Sequence, residues 1–252
     1  MKLSIILPVL NERDRMPETL AALARYGWAH EIIVVDGGST DGTREWLSAQ
    51  SIARVIDGPR GKGPQANAGG NAATGDVLLF LHADCVPSAN AYQQIQQALE
   101  SGASGGCFLV RFVEQRPVTL KFVAAGINWR TRLRRSATGD QAIFVRRTVF
   151  KSIGGCPDWP LFEDVELVRR IKRVGHFVVV PSRVTLSARR YLARGIFRTS
   201  FLIYALRFGF WLGVSPFTLK KWFDDVRPDV EEPERAPLPR KRLARCAGND
   251  SG

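Results

Sequence analysis

Cysteine is scarce in this chain and scattered: Cys85, Cys107, Cys156 and Cys246 stand far apart, with no CxxC pair. That spacing argues against a structural zinc site and supplies no disulfide framework, so the thiols read as free groups in a reducing, cytoplasmic compartment. Long apolar runs are missing too. The one internal candidate, Phe201 to Val214, is broken by Arg207 and falls short of the roughly 18 residues that a spanning helix needs. On a helical wheel Arg207 lies opposite Arg198, so the run is not cleanly amphipathic, and a hydrophobic hairpin and an interfacial segment both stay open. The first ten residues hold one Lys and a short apolar run that passes into Asn11-Glu12-Arg13-Asp14 without a small-residue cleavage site. A buried first strand suits them better than a secretory signal.

No internal repeat is present, and acid is in short supply in the second half. Residues 1–110 hold 8 cations against 11 carboxylates, residues 111–226 hold 22 against 8, a net of +14, and residues 227–252 hold 6 against 5. The +12 charge of the 252 residues therefore belongs to one part of the chain. It implies a partner that carries phosphates or anionic headgroups, which leaves peripheral contact with the inner face of a membrane open.

What is there is an α/β pattern. Leu3 to Val9, Glu31 to Asp36, Ala53 to Asp57 and Asp76 to Leu81 are short Val-, Ile- and Leu-rich runs without clean alternation, as strands covered on both faces are. Helical stretches, Pro17 to Arg25, Thr43 to Gln50 and Gln65 to Ala73, lie between them. The alternation predicts a mostly parallel, doubly wound sheet with right-handed crossovers. Farther on the pattern predicts helices over Ala89 to Glu100, Val118 to Arg135, Arg147 to Ile153 and Glu163 to Val174, and strands over Cys107 to Glu114, Gln141 to Arg146 and Phe177 to Pro181. One or two apolar helices span Gly195 to Trp222, and the Pro-, Glu- and Arg-rich residues 227–252 read as a disordered tail.

Polar residues gather where the predicted strands end, which is where open parallel sheets bind ligands. The first strand leads into Leu10-Asn11-Glu12, the second into Asp36-Gly37-Gly38-Ser39-Thr40-Asp41-Gly42, and the fourth into His82-Ala83-Asp84. Asp36 closes a wholly apolar strand, where a charge needs a reason; a turn followed by a helix cap is the alternative. The run from Gly58 to Gly70 contains Arg60 and Lys62, and such a Gly-rich segment can present N–H groups and cations to phosphate. Its Lys is not followed by Ser or Thr, which sets aside a P-loop ATPase. Asp84 suits a divalent cation completed by diphosphate oxygens and water, or else it caps the turn before Pro87. Glu163-Asp164 opens a predicted helix, where carboxylates are favourable whether or not they do chemistry.

Taken in order, Leu7-Pro-Val-Leu-Asn-Glu, Val34-Val-Asp-Gly-Gly-Ser-Thr-Asp-Gly-Thr, Gly61-Lys-Gly-Pro-Gln-Ala-Asn-Ala-Gly, Phe80-Leu-His-Ala-Asp, Gly139-Asp-Gln-Ala-Ile-Phe-Val, Phe162-Glu-Asp-Val-Glu-Leu and Ser187-Ala-Arg-Arg-Tyr resemble the motifs of family 2 glycosyltransferases with the GT-A fold. The resemblance spans residues 3 to 222 and is closest to small bacterial members ending in a Gly-Val-Ser-Pro segment, here Gly213 to Pro216. It implies one GT-A domain over residues 1–226, with a nucleotide-binding half (1–110), an acceptor and catalytic half (111–190) and C-terminal apolar helices (191–226). By that resemblance Pro8, Leu10, Glu12, Asp36 and Gly38 hold the base and ribose of a donor, UDP-linked by preference, and Gln65 and Asn67 border them. Arg60, Lys62, Ala83 and Asp84 face its diphosphate, and Asp84 ligates Mn2+ or Mg2+. His82 is a departure, standing where the family's metal motif has its first carboxylate; it reads as a hydrogen-bonded residue at the sheet edge, with an indirect partner of the metal site as the alternative. Asp164 becomes the catalytic base supported by Glu163, and Asp140, Gln141, Arg189, Arg190 and Tyr191 serve the phosphates and the acceptor, which is a small molecule or a lipid-linked one.

Two rival readings differ in class. A sugar-phosphate nucleotidyltransferase would carry a Gly-rich loop with Arg and Lys right after the first strand, where this chain has Asn11-Glu12. A non-catalytic basic module for membrane or nucleic acid would use the +14 half, but aromatics interleaved for base stacking are wanting, so nucleic acid is not an expected partner.

Overall fold

The computed structural model describes residues 1–113 and 117–225. The predicted alternation is observed as β1 (Leu3–Val9), α1 (Met16–Tyr26), β2 (Glu31–Asp36), α2 (Thr43–Ser48), β3 (Arg54–Asp57), α3 (Lys62–Ala72) and β4 (Val77–Phe80). Then follow β5 (Cys85–Pro87), α4 (Ala91–Glu100), β6 (Gly105–Phe112), α5 (Thr119–Arg134), a 3-10 turn at Gly139–Gln141, β7 (Ile143–Arg146), α6 (Arg147–Ser152), α7 (Glu163–Val174), β8 (Phe177–Leu186), α8 (Arg189–Arg194), α9 (Ile196–Trp211) and α10 (Pro216–Asp225). The tail expected over residues 227–252 lies outside the described residues. No described helix is long and apolar enough to cross a membrane.

The strands form one sheet in the order β3-β2-β1-β4-β7-β6-β8-β5. β1 to β4 pair in parallel, as does β6 with β8, while β7 runs antiparallel between β4 and β6, and β5 antiparallel to β8. β1 shows why its run does not alternate: Leu3, Ile5, Leu7 and Val9 join a core shared with α1, α4 and α5, whereas Ile6 joins the core beneath α3, α6 and α7. Full burial of each such side chain contributes roughly 1.5–3 kcal/mol, which anchors the strand that bears the site's first loop. Chain order reverses at β1, so the crevice opens at the carboxyl ends of β1 and β4.

Two corrections bear on the site. α3 begins at Lys62, three residues before the predicted start, which puts the lysine on the helix's first turn. Its glycines lie against the sheet; a Cβ on Gly69 would come 2.3 Å from Ile6 Cγ2, and close backbone approach offsets their poor helix propensity. β8 runs past Pro181 to Leu186. Its register with β6 slips between Val179 and Arg183, so the proline, which has no N–H to give, sits in a bulge. β5 and α8 were not anticipated.

Candidate active site

The loops leaving β1 and β2 are laced together into one wall of the crevice. Asn11 adopts a left-handed φ of 56°. Its N–H donates to Ser39 Oγ at 3.0 Å, and its Oδ1 accepts from the Thr40 N–H at 2.8 Å. The Glu12 N–H donates to Thr43 Oγ1 at 3.0 Å, and the Glu12 carboxylate pairs with Arg15 at 2.8 Å. Asp36 is only 2% exposed, and its carboxylate accepts from the N–H groups of Gly38 and Ser39 and from the Ser39 hydroxyl. The turn-forming use of Asp36 is therefore real, and it leaves Gly38 exposed with a φ of 90° and Pro8 and Leu10 partly exposed beside it.

Gln65 and Asn67 have other work than the sequence suggested. The Gln65 side chain is buried, and its Nε2 donates to the carbonyls of Val9 (2.8 Å) and Val35 (2.7 Å), clipping the ends of β1 and β2 together. Asn67 exchanges two hydrogen bonds with the Cys156 backbone, at 2.9 and 2.8 Å, and so ties α3 to the loop before α7. Arg60 and Lys62 are exposed, and Lys62 lines the crevice opposite Glu163 and Asp164. A Cβ on the next residue, Gly63, would lie 2.4 Å from the Pro157 carbonyl oxygen, so only glycine lets α3 press this close to the α7 side.

The carboxylate pair sits at the start of α7, behind Phe162, which caps the helix with a left-handed φ of 64° and stacks on Phe210 of α9 at 4.7 Å. Asp164 is half-buried; its Oδ2 accepts from the Gly139 N–H at 2.5 Å and its Oδ1 from the Val165 N–H at 2.6 Å. A Cβ on Gly139 would meet His82 Nε2 at 2.5 Å, so the 139–141 turn passes close between that ring and the Asp164 carboxylate. Burial pushes the Glu163 carboxyl up to about 7; the neighbouring Asp164 charge adds to the shift and Lys62 opposes it. Asp164 is also raised, by burial first, with the Gly139 N–H and Lys62 opposing and Asp140 adding.

A carboxyl raised in the folded state above its unfolded value of 4.5 binds the extra proton only when folded, so stability falls as pH rises from about 4.5 to about 7. Glu163→Gln, neutral at every pH, is therefore expected to melt several degrees higher than the parent at pH 8, a gain on the order of 2–3 kcal/mol. Melting curves at pH 8 and pH 4.5 check this, the advantage shrinking toward zero at the lower pH.

On the β4 side, His82, Asp84 and Cys85 each bring one ligand atom within 4.8 Å of the others. Cys85 is fully buried and its thiol is raised well above the ordinary value, by burial first and then by the charges of Asp84 and Asp140. Of the three, Cys85 is buried, whereas His82 and Asp84 are partly exposed. The Asp84 carboxylate is the kind of donor that both Mn2+ and Mg2+ accept. Ala83, between them, is buried, and its carbonyl accepts from Thr19 Oγ1 at 2.5 Å.

Asp140 is half-buried and takes a hydrogen bond from the Thr138 hydroxyl. Gln141, expected on the acceptor side, is fully buried; its amide bonds Thr131, the Phe108 carbonyl and the Thr138 N–H, so it anchors the 139–141 turn and does not line the crevice. Tyr191 stands edge-on to Phe112 at 5.4 Å. The side chains of Arg189 and Arg190 lie outside the described residues.

Sequence reasoning missed Arg207. From α9 its guanidinium donates to Ser136 Oγ at 3.4 Å. Burial pulls its pKa down to about 10 and nearby Arg130 adds to this, while the charges of Asp164 and Asp140 oppose. Arg130 Nε and Arg207 Nη1 are both buried without a hydrogen-bond partner. The signal was available, since a lone charge inside an apolar run needs a reason just as Asp36 does at the end of its strand.

A mixed sheet with carboxylates and cations converging on the ends of its parallel strands is the architecture of a GT-A glycosyltransferase. Residues 4–151 match the model of glycosyl transferase family 2, and the chain belongs to that family. It is 28% identical over 210 residues to the probable glycosyltransferase YdaM of Bacillus subtilis (strain 168), covering 73% of this chain and 50% of the relative. With the undecaprenyl-phosphate 4-deoxy-4-formamido-L-arabinose transferase of Yersinia pestis (strain Pestoides F) it shares 32% over 112 residues, 40% of this chain and 34% of that one. The chain thus spans half the length, or less, of these relatives. Its fold is similar to S. aureus TarS 1-349 (TM-score 0.59, 18% identity, 75% of this chain and 61% of that one). It is also similar to the mannosyltransferase PcManGT of Pyrobaculum calidifontis, solved with GDP-Man and Mn2+ (TM-score 0.60, 19% identity, 82% and 60%).

Proposed function

We propose that the chain moves a sugar from a UDP-linked donor to an acceptor hydroxyl with inversion at the anomeric carbon, in a divalent-cation-dependent reaction. The observation that carries this reading is the Glu163–Asp164 pair, held at the head of α7 and fixed by the Gly139 N–H, with Lys62 across the crevice. In such a transfer the acceptor O–H gives its proton to the Asp164 carboxylate. The acceptor oxygen then bonds the anomeric carbon as the bond to the diphosphate oxygen breaks and nucleoside diphosphate leaves. Glu163, sharing the neighbourhood's protons, supports Asp164.

The laced wall of Pro8, Leu10, Glu12, Asp36 and Gly38 takes the nucleoside, while Gln65 and Asn67 hold that wall and the α7 loop in place. Arg60 and Lys62 offer cations to the diphosphate. Asp84, with His82, holds the cation, which when bound neutralises charge on the leaving group. Arg130 and Arg207, each with a buried N–H that has no hydrogen-bond partner, stabilise phosphate charge on the acceptor side, where Arg189, Arg190 and Tyr191 also belong. The UDP preference draws support from neighbours of the same fold solved with UDP-GlcNAc and with Mn2+ and UDP, against one solved with GDP-Man.

Calorimetry with UDP, GDP and their sugars, in Mn2+ and in EDTA, tests the reading; Mn2+-independent or absent nucleotide binding rejects it. Asp36→Ala is expected to weaken UDP binding about tenfold or more, since a hydrogen bond to a charged group contributes roughly 1.5–3 kcal/mol. Ser39→Ala, which loosens the same turn but keeps the carboxylate, is expected to change it little. Equal losses in both variants would assign Asp36 to the turn alone.

A further inference from the structure

Among the described residues, the C-terminal helices leave a large apolar face uncovered. On α9, Phe197, Phe201, Tyr204, Phe208 and Trp211 are between 49% and 81% exposed. Their spacing sets all five within about 100° of one side of the helix. On α5, Val118 (just before the helix), Phe122, Trp129 and Leu133 are between 58% and 73% exposed, and their spacing likewise stacks them on one stripe. The two stripes are neighbours: α5 packs on α9, and the Tyr204 hydroxyl lies 3.7 Å from where a Gly126 Cβ would sit. Burying such a face would ordinarily stabilise a helix; left in water it marks an interaction surface.

Charge decides among occupants. Residues 117–139 and 189–223 contain no Asp or Glu, whereas Lys121, Arg132, Arg134, Arg135, Arg194 and Arg198 are exposed around the stripes. Residues 227–252 contain no aromatic residue with which to cover the face. A second copy of this chain would set the same cations against themselves. Aromatic side chains bordered by Arg and Lys, with no acid, match the boundary between headgroups and acyl chains in an anionic bilayer.

We propose that the α5–α9 face docks on the surface of an anionic lipid bilayer, without crossing it. α9 also carries Phe210 onto Phe162 and Arg207 toward Asp164, so docking would hold the crevice near the membrane surface.

The test is flotation of the full chain with vesicles of phosphatidylcholine alone and of phosphatidylcholine with 30 mol% phosphatidylglycerol, together with light scattering for solution mass. The chain is expected to float with the anionic vesicles at least tenfold more than with the neutral ones, less so in high salt. The triple variant Phe197→Ser/Phe201→Ser/Phe208→Ser should lose most of that binding, and Trp129→Ser/Leu133→Ser, on a different helix, gives an independent second arm should the triple variant not fold. Loss of flotation in either folded variant supports the proposal. Equal recovery with both vesicle types, retained flotation in the folded variants, or a dimer that either variant converts to monomer without any vesicle binding overturns it.

Discussion

Asp164→Asn is expected to lower kcat by roughly 10²–10⁴ while leaving UDP affinity near that of the parent. The exchange is nearly isosteric, so the Gly139 N–H that now meets Oδ2 can still meet a carboxamide oxygen and the 139–141 turn should persist, at the expense of the bond from the Val165 N–H. What disappears is the group that takes the acceptor's proton. If the carboxylate served only the head of α7, its loss would show in stability alone, about 0.3–1 kcal/mol from the helix dipole. Turnover, nucleotide affinity and melting temperature measured on one preparation separate the two roles. Near-normal turnover in a folded Asp164→Asn protein would reject the assignment, and a collapse confined to Glu163→Gln would move the base by one residue.

Asp84→Ala is expected to abolish turnover and, in the same protein, the strengthening of UDP binding by Mn2+. Neutralising a departing diphosphate supplies several kcal/mol, so the loss should reach roughly 10³-fold. The geometry adds a finer expectation. Cys85, although its sulfur lies close to Asp84, is buried while Asp84 and His82 are partly exposed, so Cys85→Ser should retain Mn2+ affinity, whereas His82→Ala should weaken it. Titration of Mn2+ into the three variants with UDP present reads these effects directly. Undiminished turnover of the parent in EDTA would remove the cation from the mechanism, and a loss confined to Cys85→Ser would assign ligation to sulfur.

Local pattern was enough where an element makes its own case. β1 and β2, and α7 from Glu163 to Val174, have the predicted bounds because apolar runs and a charged first turn are signals contained in the element itself. β5 has three residues and exists by pairing with β8, a partner about a hundred positions away, which no periodicity can report. β8 was cut short at Pro181 because a bulge that tolerates proline is a property of the pair and not of one strand.

The site follows the same division. Motif order placed Pro8, Lys62, Glu163 and Asp164 at one crevice, whereas the actual hydrogen-bond duties of Gln65, Asn67 and Gln141 became visible only once the carbonyls they bind had positions. Arg207 stood out in the sequence as a lone charge in an apolar run, but its partner Ser136 could not be read there, since α9 reaches it only in three dimensions.

The left-handed cap at Phe162 has a bearing on how the chain can be divided. A non-glycine residue in that conformation carries a local cost of roughly 1 kcal/mol or more, and here the ring that faces it comes from Phe210, 48 positions downstream. The match to the family model stops at residue 151, before both partners. A chimera joined near that point, or a shortened chain ending after β8, would inherit all the strands down to its junction or its end. It would nevertheless begin α7 without the aromatic lid that sets the helix's first turn. Exchange between relatives therefore has to carry the stretch from the loop before Phe162 through α9 as one cassette if the carboxylates are to keep their aim.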